Sequence, residues 1–272
     1  MSANNATEKE YVIVHATDLR PDGQRTFDHA VTLAKRTGGK LISCHISEED
    51  EEGAPDREEM LKRLSTPEEG LVHETLIKTD ATNPRKELMK TVEEIGPDLL
   101  IVGSRRQAGE GSAMRKSVSE AAALDMAVPT LVVHIGQEGM VDGNGALRLR
   151  RVLLPVGDGA EARDTIEALT KFLDQVGQKE VDIYLLRVGD AEILDHLVLP
   201  ERDGWRWHRQ VKERGMVANV VAEQCELHGI DLIAMATRGK DGFVDVFSGT
   251  HTQKVIRRAP RPVLAVNSRS EI

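Results

Sequence analysis

The chain has little cysteine, few aromatic rings and no long apolar run. Cys44 and Cys225 are its two cysteines in 272 residues, one in each half and outside any CxxC pair, which argues against a disulfide framework and a zinc knuckle. Aromatic residues make up 3%, so a core has to be assembled from Val, Leu, Ile, Ala and Met; the apolar total of 40% excludes a disordered chain. No segment approaches the ~20 apolar residues that span a bilayer, and the polar residues 1–10 lack the apolar stretch of a secretory signal. These absences predict a soluble protein of the reducing cytoplasm, without a membrane partner. Basic residues are also in deficit. The 36 Lys and Arg against 45 Asp and Glu give a formal charge of −9, the opposite of the excess by which nucleic-acid binders displace counterions. An anionic small ligand would have to be held by local dipoles.

What is present is a duplication. The run Val12-Ile13-Val14-His15-Ala16-Thr17-Asp18 aligns with Val152-Leu153-Leu154-Pro155-Val156-Gly157-Asp158, so that Asp18 falls on Asp158 at a spacing of 140. Further on, Asp98-Leu99-Leu100-Ile101-Val102-Gly103 matches Asp231-Leu232-Ile233-Ala234-Met235-Ala236, and Pro129 matches Pro262, both at a spacing of 133. The second copy has therefore lost a net seven residues in loops or its middle helix. Continuous apolar runs suited to buried parallel strands cover residues 11–16, 40–46, 72–77, 99–102 and 130–134 of the first copy. Helical spacing lies between them: Phe27, Ala30, Val31 and Ala34 before Gly38-Gly39, then Leu88, Val92 and Ile95 between Pro84 and Gly96-Pro97. Ile166, Leu169 and Phe172, and Val217, Val220, Val221 and Cys225, repeat the pattern in the second copy. Alternating strands and helices predict an α/β chain of two tandem five-stranded parallel-sheet domains. The glycine-rich residues 136–150 read as a linker, which sets domains at 1–137 and 151–272 joined by 138–150.

Chemistry concentrates after the fourth strand of the second copy. There Met235-Ala236-Thr237-Arg238-Gly239-Lys240-Asp241-Gly242 leads through Gly249-Thr250-His251 into a helix. Gly239 and Gly242 allow close backbone approach to a ligand, and Gly249-Thr250 exposes the unpaired N–H groups of a helix start to an anion. Thr250 and His251 add side-chain donors, and Arg238 adds charge. The ordinary reading of Gly239 and Gly242 as turn residues stays open, as does that of Asp158 as a helix cap. The loop is not a GxxxxGK[ST] cradle, and no GxGxxG follows a first strand.

These residues carry a resemblance. The spacing Ala236-x2-Gly239-x9-Gly249-Thr250, followed by a helix and Pro262-Val263-Leu264-Ala265-Val266, resembles the ATP-binding signature of the universal stress protein family, with Ala236 in place of its first glycine. The opening strands and their aspartates resemble the family too, and the likeness covers nearly the whole chain twice. It implies a Rossmann-like, adenine nucleotide α-hydrolase-like fold and a stress-response regulatory protein that binds an adenine nucleotide (ATP, or ADP or AMP) in its C-terminal domain. Carried over by position, the nucleotide contacts are Pro155, Val156, Asp158, Val188, Met235, Ala236, Arg238, Gly239, Gly242, Gly249, Thr250 and His251. In the first copy Arg106 and Lys116 replace two of the glycines, so no nucleotide is expected there; the alternative is that the two cations create an anion site of their own. The resemblance also implies that the halves pair through their last strands as a pseudo-dimer, with a homodimer of chains left open.

No catalytic constellation and no metal site are predicted. Nothing in the spacing of Ser, His and Asp singles out a nucleophile and its base, and the run 48–52 reads as a solvated acidic loop. Slow ATP hydrolysis remains compatible with the sequence. Two competing readings are a nucleotide-free interaction scaffold in which both loops are degenerate, and an adenylate-forming enzyme, whose Ser-Gly-Gly-x-Asp-Ser loop the first-strand turns lack.

Overall fold

The computed structural model describes residues 9–48, 55–105, 122, 125–137, 139–157, 159–238 and 251–268, with backbone alone at 55, 56, 238 and 251. The first half runs β1 (Val12–Ala16), a 3-10 turn (Pro21–Gly23), α1 (Gln24–Thr37), β2 (Lys40–Ile46), α2 (Pro55–Ser65), β3 (Val72–Lys78), α3 (Pro84–Ile95), β4 (Leu99–Ser104) and β5 (Thr130–His134). The second runs β6 (Arg151–Pro155), α4 (Gly159–Gln175), β7 (Val181–Val188), a single turn α5 (Glu192–Asp195), β8 (Trp205–Lys212), α6 (Val217–His228), β9 (Leu232–Arg238), α7 (His251–Arg258) and β10 (Val263–Ser268). Local chemistry sets the helix ends. Pro84 opens α3 behind Asn83, whose side chain accepts from the Lys86 N–H, and Gly38, Gly96 and Gly229 close α1, α3 and α6 in the left-handed conformation.

The strands form one ten-stranded sheet in the order β3-β2-β1-β4-β5-β10-β9-β6-β7-β8. Every pairing is parallel except the middle one, where β10 meets β5 antiparallel with Val263 opposite Val132, Leu264 opposite Leu131 and Ala265 opposite Thr130. The apolar runs of the inner strands are continuous because both faces are covered; the edge strand β3 is largely exposed, with Val72 and Ile77 open to solvent, so residues 72–77 are not the buried strand expected. Ile13, Leu99, Ile101, Leu131, Leu154, Ile183 and Leu264 point to the layer of α1, α2 and α4; Val14, Leu100, Val102, Val132, Leu153, Leu186 and Val263 point to that of α3, α6 and α7. Cys44 and Cys225 are buried in the second layer, and Trp205 and Trp207 pack on the first. Side chains also cross between the halves: His134 Nε2 donates to the Ile256 carbonyl at 2.6 Å, and the Asn267 amide donates to the Met126 carbonyl at 3.2 Å. No helix among the described residues is long and apolar enough to cross a membrane.

The segment joining the halves is folded rather than extended. Asp142 accepts from the N–H groups of Asn144 and Ala146, Gly145 adopts a left-handed φ of 77°, and Arg148 donates its N–H to Met140 at 2.7 Å, which makes a small hairpin bridged at Val141 and Leu147. Its Met140, Val141 and Leu149 are buried, and the Gly145 carbonyl accepts from Thr32 on α1. The glycines of this linker segment sit in turns between buried apolar residues.

Two of the first half's buried histidines are held neutral. Burial, helped by His73, pulls His15 down to about 3, and burial pulls His29 to about 4. Both lie below the ordinary value of ~6.5, so below pH 6.5 the unfolded chain binds protons the folded chain refuses, and stability falls as pH falls. The two together are expected to remove roughly 3–4 kcal/mol between neutral pH and pH 5, from ~1.4 kcal/mol per pH unit for each group. Urea denaturation at pH 7.5 and 5.0 checks this, and His29→Asn should flatten the dependence by about half.

Candidate functional site

The hydrogen bonds of the first strands place the two copies 139 residues apart at this point, not 140. Asp98 donates its N–H to Val12 as Asp231 does to Arg151, and Thr17 donates to Cys44 as Val156 does to Leu186. Asp98 also accepts from the Val12 N–H as Asp231 does from that of Arg151. The counterpart of Asp18 is therefore Gly157, and the sequence pairing of Asp18 with Asp158 is one residue out. Ala16 corresponds to Pro155.

That substitution shortens the pairing of β6 with β9. In a parallel strand successive N–H groups point to opposite neighbours, and since Val156 donates to β7, position 155 faces β9. Proline has no N–H to give. In the first half β1 pairs with β4 through four positions, from Ile13–Leu99 to Ala16–Val102. In the second, β6 pairs with β9 only at Val152–Leu232 and Leu153–Ile233, while β9 stays paired with β10 as far as Arg238–Ser268. The β6–β9 pairing thus stops short of the carboxyl ends, between two strands whose neighbours run in opposite chain order, which is where open α/β sheets take ligands.

Of the residues expected there, Pro155 ends β6, Val156 follows it buried, half-buried Val188 ends β7, and buried Met235 and half-buried Ala236 lie near the end of β9. Arg238 ends β9 and His251 starts α7, so the backbone brings both to this end of the sheet. Asp158, Gly239, Gly242, Gly249 and Thr250 lie outside the described residues, as do Arg106 and Lys116. Two participants were not found from sequence. Arg187 on β7 donates from Nη1 to the carbonyls of Val156 and Gly157 and from Nε to that of Asp190 at 3.1 Å, so a cation braces the turn after β6. It also lines a cavity of about 260 Å³ with Asp190, Glu192 and His196. Thr252 on α7 donates to the Ala236 carbonyl at 3.5 Å, tying the helix to the end of β9. Both act through backbone carbonyls, for which residue type carries no signal. Among the described residues no cluster of three or more His, Cys, Asp or Glu could hold a metal ion.

The equivalent place in the first half is occupied. Arg105, just beyond β4, grips Asp22 through Nε at 2.8 Å and Nη2 at 2.6 Å and holds Asp18 through Nη1 at 2.6 Å. These hydrogen bonds hold the Asp22 carboxyl below the usual range and raise the Arg105 guanidinium further. The turn is fixed by Leu19, whose φ of 58° is unusual for a bulky residue and whose side chain is buried. Arg105→Gln is expected to return the Asp22 pKa towards ~3.9 in a carboxyl-carbon NMR titration. The ions are well exposed, so the stability change should stay under ~1 kcal/mol.

Comparison with known proteins agrees with this architecture. The sequence model of the universal stress protein family matches residues 12–134 and 199–267, more than half of the chain. A universal stress protein of Methanocaldococcus jannaschii is 25% identical over 148 residues, which cover 45% of this chain and 85% of that protein. Among solved structures, a universal stress protein from Archaeoglobus fulgidus superposes with a TM-score of 0.65 at 18% identity, covering 96% of this chain and 100% of its own. A putative universal stress protein from Pseudomonas aeruginosa gives 0.61 at 12% identity, with coverage of 95% and 93%. With two copies of one doubly wound unit in a single sheet and the family's sequence pattern running through both, the chain belongs to the universal stress protein family.

Proposed function

We propose that the second half binds one adenine nucleotide, ATP in the first instance, and that the chain is a nucleotide-responsive regulatory protein of the stress response. The observation that carries this reading is the early end of the β6–β9 pairing at Pro155, at a topological switch point where Val156, Val188, Met235 and Ala236 stand at the strand ends. An apolar wall of this kind suits a base. The sequence of the following segment supplies the rest: Gly239, Gly242 and Gly249 for backbone approach, Thr250 and the start of α7 for phosphate, Arg238 and His251 for charge, and Asp158 for the ribose or adenine. The first half has the unbroken β1–β4 ladder, the Arg105 clamp on Asp18 and cations at two glycine positions, and these features favour one nucleotide per chain over two. The proposed site lies in the cytoplasm, where ATP is abundant.

Acid extraction of the purified protein followed by liquid chromatography should release about one adenine nucleotide per chain; none in the extract, together with no thermal shift on adding ATP, would support the ligand-free scaffold instead. Gly239→Glu should abolish retention while the fold survives, because a carboxylate would repel phosphate and fill the backbone approach. Pro155→Ala, which restores an N–H towards β9, should lower retention by equilibrium dialysis without lowering the unfolding midpoint.

A further inference from the structure

The largest cavity among the two described, about 480 Å³, lies away from the carboxyl ends, at the junction of the halves. Tyr11, Leu99 and Pro129 from the first half face Ala168, Phe172 and Leu264 from the second across it. Its position follows from the duplication. Counterparts 139 residues apart on α1 and α4 share their burial, Thr26 with Thr165, Phe27 with Ile166 and Ala30 with Leu169. The face Asp164, Ala168 and Lys171 that lines the cavity thus corresponds to Arg25, His29 and Thr32 of α1.

On α1 that face is covered by the hairpin joining the halves. Thr32 donates to the Gly145 carbonyl at 3.1 Å, and Gly139 lies so close to His29 that an added Cβ would come within 2.4 Å of its ring. The hairpin brings Met140, Val141 and Leu149 into the core. On α4 nothing among the described residues does the same. Residues 1–8, which precede Lys9 at the cavity rim, offer only Met1, Ala3 and Ala6 as apolar side chains.

We propose that this open twin of the hairpin groove is a second ligand site, for an uncharged small molecule with a flat apolar body and a carbonyl-type acceptor. The volume is within the ~300–1,000 Å³ usual for such sites. Charge does not recommend an ionic ligand, because the rim ions already satisfy one another: Lys9 pairs with Asp98 at 2.8 Å and Lys171 with Glu167 at 2.6 Å, while Asp164 accepts from the Ser268 hydroxyl. The Tyr11 hydroxyl, by contrast, has no hydrogen-bond partner among the described residues. Burial and the neighbouring Asp98 raise its pKa, so it stays a donor across the physiological range. The hairpin on α1 shows apolar groups seated against the helix with one carbonyl accepting a hydroxyl proton; in the cavity the counterpart of Thr32 is Lys171, and the hydroxyl comes from Tyr11 instead. An occupant would touch both halves and so act on their junction, independently of the nucleotide.

The probe is 6-propionyl-2-dimethylaminonaphthalene, a neutral aromatic ketone whose emission reports burial and hydrogen bonding. Titration into the full-length protein saturated with ATP should give blue-shifted emission saturating at one probe per chain. Ala168→Trp, at a half-buried position, should abolish this by filling the cavity. Tyr11→Phe should weaken binding about three- to tenfold, the worth of one hydrogen bond, and shift the bound emission further to the blue. Thermal melts identify a variant that fails to fold, and the milder Tyr11→Phe then decides alone. No saturable binding, displacement of the probe by ATP, unchanged binding in Tyr11→Phe, or binding only after residues 1–8 are removed would each overturn the assignment; the last would give the groove to the chain's own first residues.

Discussion

A five-stranded parallel sheet ends in a strand whose outer N–H and C=O groups have no partner, and such an edge invites uncontrolled pairing. In this chain β5 and β10 satisfy one another. Because they run antiparallel, the second half is turned over relative to the first about an axis between them, and the two sheets become one. Thr130, Leu131 and Val132 are fully buried by this pairing and the helices above it, and His134 and Asn267 reach across to carbonyls of the opposite half. The carboxyl ends of the strands in the two halves then point in opposite directions.

The same geometry makes small differences between the copies consequential. A duplicated unit starts with two equal crevices, and here single positions separate them. Alanine in β1 allows the ladder to β4 to run to the end of the strand; proline in β6 ends the ladder to β9 two pairs early. Arg105 locks the first turn through two carboxylates, whereas in the second half Arg187 braces the turn from the neighbouring strand. At the opposite end of the strands the asymmetry is one of connectivity. A polypeptide that joins two copies passes beside one of the two related grooves and covers it, while among the described residues nothing covers its twin.

Much of this was legible in the residues. Inner strands read as continuous apolar runs because both faces of the sheet are covered, and the ends of the first half's strands fall within two residues of expectation; β4 extends to Ser104 because Gly103 and Ser104 continue to pair with β5. Pro84, Gly38 and Gly96 punctuate helices for local reasons that need no tertiary partner. The pairing of Asp18 with Asp158 failed because identity of side chain was used where backbone hydrogen bonding sets the register; Gly157 holds Asp18's place, and Asp158 stands one step along the chain. The segment between the halves reads as a linker from its glycines, while the burial of Met140, Val141 and Leu149 is not legible there, because composition does not reveal what apolar residues between turns will pack against.

Periodicity, duplication and the glycine spacing, all properties of short stretches of chain, determined the fold class, the number of repeated units and the neighbourhood of the candidate site. Register, the early end of the β6–β9 pairing and the groove on α4 were decided only in three dimensions, since each depends on which backbone groups and which faces from opposite halves meet. A missing N–H at Pro155 is written in the sequence; that it faces β9 rather than β7 is a property of the assembled sheet.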